Sequence, residues 1–166
     1  MRIFRGDIWE KVRLKYEIVI PVNIGWKKPG VNIMGRGLAK QALERYPKIA
    51  GFLGTIQETL WGLEHPPMGD PRWIIKYPWG PLIFFPTKAL DKEKPWMSWA
   101  QKSDKGMIGK LLEHFHTFAT KHNIEKIAVP ILGAGNGGLD PLEMKDFIRA
   151  KIGDDKRFVL VTPIYI

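Results

Sequence analysis

Apolar positions along this chain follow two alternating rhythms. Short runs rich in β-branched and aromatic residues predict strands over residues 2–4, 18–22, 73–77, 82–85, 126–132 and 158–162. Apolar residues at helical spacing predict helices over 36–46, 49–60, 105–121 and 141–151. In the third of these, Ile108, Leu111, Leu112, Phe115, Phe118 and Ala119 make one continuous stripe. The strands over 18–22 and 126–132 carry no polar spacer, a pattern that belongs to sheets covered on both faces. Strands 73–77 and 82–85, joined through Pro78-Trp79-Gly80-Pro81, read as a local hairpin. Alternating strands and helices make this one α/β domain, with no repeat or linker.

Candidate chemistry lies at two strand ends. The strand over 126–132 runs straight into Gly133, Gly135, Gly137 and Gly138, and then into Asp140, Pro141 and Glu143. Those three have the spacing of an N-cap, a first-turn proline and a capping-box partner. Strand, glycine loop and helix N-terminus in that order offer oriented amides and a positive helix end to a phosphate or diphosphate. A tight strand-to-helix turn is the competing explanation. A second loop, over 22–39, also leads from a strand through glycines (Gly35 and Gly37) to a helix. Two such junctions can converge at the carboxyl ends of neighbouring strands, one on each side of a diphosphate. Neither spells an N-terminal G-x-G-x-x-G or a Walker A motif, which disfavours a dinucleotide dehydrogenase or a P-loop NTPase.

Five motifs in order carry a wider likeness: Gly6-Asp7-Ile8, Pro21-Val22-Asn23, Met34-Gly35-Arg36-Gly37-Leu38-Ala39, Phe85-Pro86-Thr87-Lys88, and Val129-Pro130 through Gly138-Leu139-Asp140. Together they resemble the macrodomain family over nearly the whole chain. They are most similar to its branch of DarG-type DNA ADP-ribosyl glycohydrolase antitoxins and terminal ADP-ribose glycohydrolases. The resemblance implies a single macrodomain over residues 1–166, a three-layer α/β/α fold with a mixed central sheet, and an ADP-ribose cleft at its top. It implies that Asp7 and Ile8 meet the adenine. It also implies that Gly35, Arg36, Gly37, Leu38 and Thr87, with Gly133, Ala134, Gly135, Asn136, Gly137 and Gly138, surround the diphosphate and distal ribose. Asn23 would approach that ribose, and Lys88 would be the catalytic amine. Lys88 would act at the anomeric carbon, as a nucleophile on the ring-opened sugar or as a stabiliser of charge. Either role suits a lysine whose pKa is depressed by desolvation and neighbouring cations. The chain has Asn136 and Gly137 where some relatives place an acidic residue, and Ile20 where the family often has Asn. Asp140 has two readings, a helix cap and a contact to the distal ribose.

The segment Gly25-Trp26-Lys27-Lys28-Pro29-Gly30-Val31-Asn32 stands as an insert beside the expected distal ribose. Trp26, Lys27 and Lys28 suit contact with DNA, by stacking and by phosphate pairing, or else form a solvated loop with the Trp packed back on the body. A net charge of +9 and a pI of 9.8 favour polyanionic partners, although the basic residues are dispersed. With no cysteine, disulfides and thiol catalysis are excluded. No apolar run approaches the roughly 18 residues of a membrane span, and residues 1–7 read as strand and turn rather than signal peptide. His114 and His116 are not at ligand spacing, so no metal is expected, and no cofactor beyond ADP-ribose as ligand or product. Trp73, Trp79, Trp96 and Trp99 line a cleft or pack under loops, with packing expected for most. The expectation is a cytoplasmic monomer that removes ADP-ribose from nucleic acid, at thymidine in DNA. The alternatives are a non-catalytic ADP-ribose reader, or a hydrolase of O-acetyl-ADP-ribose or ADP-ribose 1″-phosphate.

Overall fold

The computed structural model describes residues 1–164. Six strands, β1 (Arg2–Arg5), β2 (Glu17–Asn23), β3 (Ile75–Lys76), β4 (Leu82–Lys88), β5 (Ile127–Val129) and β6 (Phe158–Thr162), form one sheet in the order β1-β6-β5-β2-β4-β3. Every neighbouring pair is parallel except β3 with β4, so the sheet is mixed. Helices α1 (Gly37–Arg45), α2 (Ile49–Glu64), α3 (Lys105–Glu113), α4 (Phe115–Lys121) and α5 (Pro141–Ile152) cover it.

Period-two alternation divides the core between the two faces. Ile18, Ile20 and Val22, with Leu82, Phe84, Val159 and Val161, pack against Ala42 of α1 and Ile49 and Leu53 of α2. Val19, Ile83, Phe85, Ile127, Phe158 and Leu160 face the other way, onto Ile108, Leu112, Phe115 and Ile148 of α3, α4 and α5. The inner strands β2, β4, β5 and β6 are therefore apolar on both sides, which accounts for the missing polar spacers and gives the three-layer α/β/α arrangement.

Several boundaries differ from the sequence reading, among them β4, which runs on to Lys88 past the expected end at residue 85. The run over 105–121 is two helices, because the chain turns at His114, whose N–H bonds Leu111 O at 3.1 Å. The apolar stripe survives the break, with Phe115 and Phe118 in the same core as Leu111. Strand β3 keeps only two residues, since Trp73 belongs to a 3₁₀ turn that Asp70 opens by accepting the Arg72 N–H. Strand β5 stops at Val129, before Pro130, which has no N–H to give a ladder. Helix α2 runs on to Glu64, one turn beyond the expected end.

The insert over 25–32 docks on α2. Asn32 Nδ2 donates to Gly25 O at 2.8 Å and to Gln57 Oε1 at 3.1 Å, and Gln57 Nε2 donates to Asn23 O at 2.9 Å. Gln57 and Asn32 are both buried, and their hydrogen bonds hold the loop together with the packing of Trp26 into the core, while Asn32 Oδ1 has no partner among the described residues.

Candidate functional site

The carboxyl ends of β5, β2 and β4, which are adjacent and parallel, open into a cleft of about 470 Å³. Open α/β sheets place ligands at this edge. Four segments form the cleft walls: residues 21–23 at the end of β2, residues 33–39 leading into α1, residues 130–137 after β5, and Thr87, Lys88, Trp99 and Ser103 around the end of β4. The two glycine loops approach each other, and a Cβ added to Gly37 would lie 3.7 Å from Asn136 Nδ2. Left-handed backbone at Gly37 (φ +56°), Gly133 (φ +81°) and Gly135 (φ +64°) lets both loops turn inward.

The structure brings most of the sequence-derived residues to one place. Asn23, Gly35, Arg36, Gly37, Leu38, Thr87, Lys88, Gly133, Ala134, Gly135, Asn136 and Gly137 all line the cleft. Asp7, Ile8 and Gly138 are not among the lining residues. Asp7 instead caps the 3₁₀ turn Ile8–Leu14, its Oδ1 accepting the Trp9 N–H at 3.0 Å, and Ile8 is buried in the core. The α5 terminus also departs from expectation. Asp140 makes no capping bond with its side chain, and Glu143 pairs with Lys105 instead of closing a capping box. The helix start that borders the cleft is that of α1, through Gly37, Leu38 and Ala39.

Lys88 ends β4, in register beside Asn23 of β2, where the parallel pairing shifts by a bulge. Its Nζ donates to the carbonyl of Trp99 at 2.7 Å. Desolvation, and secondarily the positive charge of Arg36, hold the Lys88 pKa below its ordinary value. Arg36 in turn lies over the Trp99 ring, its guanidinium carbon 5.2 Å from the centroid. An amine, a guanidinium and an indole thus share the cleft mouth. Asn23 has a structural occupation: its Nδ2 donates to Ile33 O at 2.9 Å, and its Oδ1 lies 3.3 Å from Asn32 Nδ2. It pins the loop that carries Gly35 and Arg36.

The lowered Lys88 pKa sets the direction of a pH prediction. More of the amine is neutral at a given pH than in a free lysine, so a rate that needs the neutral form rises with pH to a midpoint below the usual lysine value. Arg36→Ala removes a repelling charge and should move that midpoint upward. A pH profile of kcat/KM in both proteins checks this, and an unmoved midpoint would mean that Arg36 does not tune the amine.

Trp26 is buried in the core among the residues that pack on α3 and α4, so it has no face for a base, while Lys27 and Lys28 are exposed and border no part of the cleft. Of the two alternatives for the insert, Trp26 takes the one in which it packs back on the body, and it makes no stacking contact available to DNA. Of the four central tryptophans only Trp73 is fully buried; Trp79 and Trp96 are exposed and Trp99 lines the cleft, so packing does not describe most of them. Trp99 takes the cleft-lining alternative of the two offered for the central tryptophans, while sequence reasoning missed Ser103 altogether. Ser103 Oγ is buried without a partner among the described residues, tight against Gly137, and its N–H donates to Gly137 O at 2.9 Å. The available signal for Trp99 was the three-residue spacing of Trp96 and Trp99 after Pro95. Among the described residues no cluster of three His, Asp or Glu side chains is placed to hold a metal ion, and no helix is long and apolar enough to cross a membrane.

No protein-family model matches the chain, and no curated protein matches it. Solved structures do. The macrodomain of Mycobacterium tuberculosis DarG superposes with a TM-score of 0.68 at 26% identity, over 98% of this chain and 96% of that one. The macrodomain of Thermus aquaticus DarG gives 0.68 at 24% identity, with the same coverage. Thermosipho africanus DarTG, solved in complex with ADP-ribose, gives 0.71 at 18% identity, over 99% of this chain and 42% of that longer one.

Proposed function

We propose that this chain, a DarG-like macrodomain, binds ADP-ribose between its two glycine loops and hydrolyses the bond joining the distal ribose to a nucleic-acid base, thymine in DNA, with Lys88 as the catalytic amine. The observation that carries the reading is Lys88 itself. Its amine stands inside the cleft, anchored at 2.7 Å to the Trp99 carbonyl, with its pKa lowered. A neutral amine that donates one hydrogen there keeps its lone pair for the anomeric carbon, and a protonated one would instead stabilise charge at the leaving base. The ADP-ribose bound by Thermosipho africanus DarTG supports the ligand class. Glycine loops with oriented amides suit its diphosphate, and Arg36 adds a charge-assisted donor beside them.

A non-catalytic reader is the second reading, and one observation favours it. Asn23 already serves the wall of the cleft, its Nδ2 donating to Ile33 O and its Oδ1 accepting from Asn32, so it is held as a strut beside Lys88 at the end of β2. Both readings require ADP-ribose to bind. Calorimetric titration with ADP-ribose should show a single site, with ADP binding more weakly because it lacks the distal ribose. Absence of heat with ADP-ribose would overturn both.

A further inference from the structure

The proposed cleft opens beside a feature that binding of ADP-ribose does not use. Pro95–Ala100 forms a 3₁₀ turn, in which residues three apart stand one above the other. Pro95 and Ser98 make the inward side: Ser98 is buried, its Oγ accepts the Asp91 N–H at 2.9 Å and donates to Pro95 O at 3.0 Å, and Gly25 packs against both. This leaves Trp96 and Trp99 together on another side. Trp99 borders the cleft, and Trp96, 50% exposed, borders a separate shallow groove with Lys94, Met97 and Gln101. One rigid turn therefore joins the cleft mouth to a second, open groove.

From this geometry we infer that the turn is the nucleic-acid platform of the protein: Trp99 takes the base that carries ADP-ribose, and Trp96 takes a neighbouring base of the same single strand, with Lys94 meeting the phosphate between them. The inference rests on the nucleic-acid reading above and names where that substrate lies. Three observations support it. Among the described residues Trp99 is the only aromatic that lines the cleft; Arg36 lies over one face of its ring and its own carbonyl holds the Lys88 amine, so a planar group on the other face sits at the reacting end. A rise of about 2 Å per residue sets the two tryptophans roughly 6 Å apart along the turn, farther than the roughly 3.4 Å between stacked bases. Each ring thus serves one splayed base of a single strand rather than a duplex stack. The charge around the turn is also suitable: Lys94 and Lys102 are exposed, while the one carboxylate in the groove, Asp91, turns an oxygen to the amides of Glu93 and Lys94. The insert cannot do this work, because Trp26 is buried.

The test is fluorescence polarisation with a labelled, unmodified oligothymidine about ten nucleotides long, run beside calorimetry with ADP-ribose. Trp96→Ala should weaken oligonucleotide binding about tenfold and Trp96→Phe much less, both with ADP-ribose affinity and Tm unchanged. Lys94→Ala should weaken it about threefold, while Lys27→Ala, the same change of charge, leaves it as in the wild type. Equal binding by wild type and Trp96→Ala, or no binding by the wild type, overturns the inference while ADP-ribose binding still stands. A wild type that binds no ADP-ribose overturns the functional reading instead. A protein substrate is diagnosed by release of ADP-ribose from modified protein that Trp96→Ala leaves unchanged, and this too overturns the inference.

Discussion

Lys88→Ala should lower ADP-ribosyl hydrolysis by about 10³-fold while changing ADP-ribose affinity by no more than a few fold. The rate loss is the size expected when a positioned nucleophile or acid–base group is deleted. Affinity is largely spared because the residues that surround a diphosphate, from Gly35 to Leu38 and from Gly133 to Gly137, are untouched. Among the described residues Lys88 gives a single hydrogen bond, to the Trp99 carbonyl, and Trp99 borders an open cleft where water can replace the amine. The fold should therefore survive. Single-turnover release assays paired with calorimetry separate the two effects, and full turnover in the variant would remove Lys88 from the mechanism.

Gly133→Ala should cost about 2–3 kcal/mol of stability and abolish ligand binding at working concentrations. Two penalties add at this position. Its φ of +81° is strained for any residue with a Cβ, at roughly 1–2 kcal/mol. The new methyl would also stand 2.7 Å from Leu139 Cδ1 and 3.1 Å from Ile108 Cδ1, side-chain ends of which Ile108 is fully buried, so the forced shift adds about 1 kcal/mol. Gly135→Ala is the control. It has the same kind of backbone (φ +64°) but nothing within 4 Å of the added methyl, so it should cost only about 1 kcal/mol. For a domain of this size each kcal/mol is about 2–4 °C in Tm, so thermal melts resolve the two. Equal shifts would mean that crowding at Gly133 is relieved by a small movement of Leu139.

Much of this arrangement could be read from residue order, and the parts that could not share a physical cause. Ile18 to Val22 and Leu82 to Phe85 announced strands buried on both faces, because a strand between two helical layers needs no polar face. The glycines at 133, 135 and 137 announced a loop at a strand end, and the FPTK run put Lys88 at the end of β4. What the sequence hid were choices made by tertiary contact. Trp26 looks available in the sequence, but the Asn32–Gln57 network folds its loop onto α2 and buries it. Asp140, Pro141 and Glu143 have the spacing of a capping box, yet Lys105 from α3 draws Glu143 away. Asp7 is a local case: its Oδ1 accepts the Trp9 N–H, a backbone capture to which Asp side chains are prone, and the residue lies outside the cleft lining. The Pro95–Ala100 turn carries no apolar period, so the spacing of Trp96 and Trp99 after Pro95 was the one hint that an indole reaches the cleft.

The claim on which the rest depends is that Lys88 works on ADP-ribose attached to a nucleic acid. The measurement that tests it most directly is release of free ADP-ribose by the wild-type protein, from a single-stranded oligonucleotide modified on thymine and, in parallel, from an ADP-ribosylated protein. The account predicts release from the oligonucleotide and little from the protein. Release from the protein alone, or from neither while ADP-ribose still binds, would contradict it.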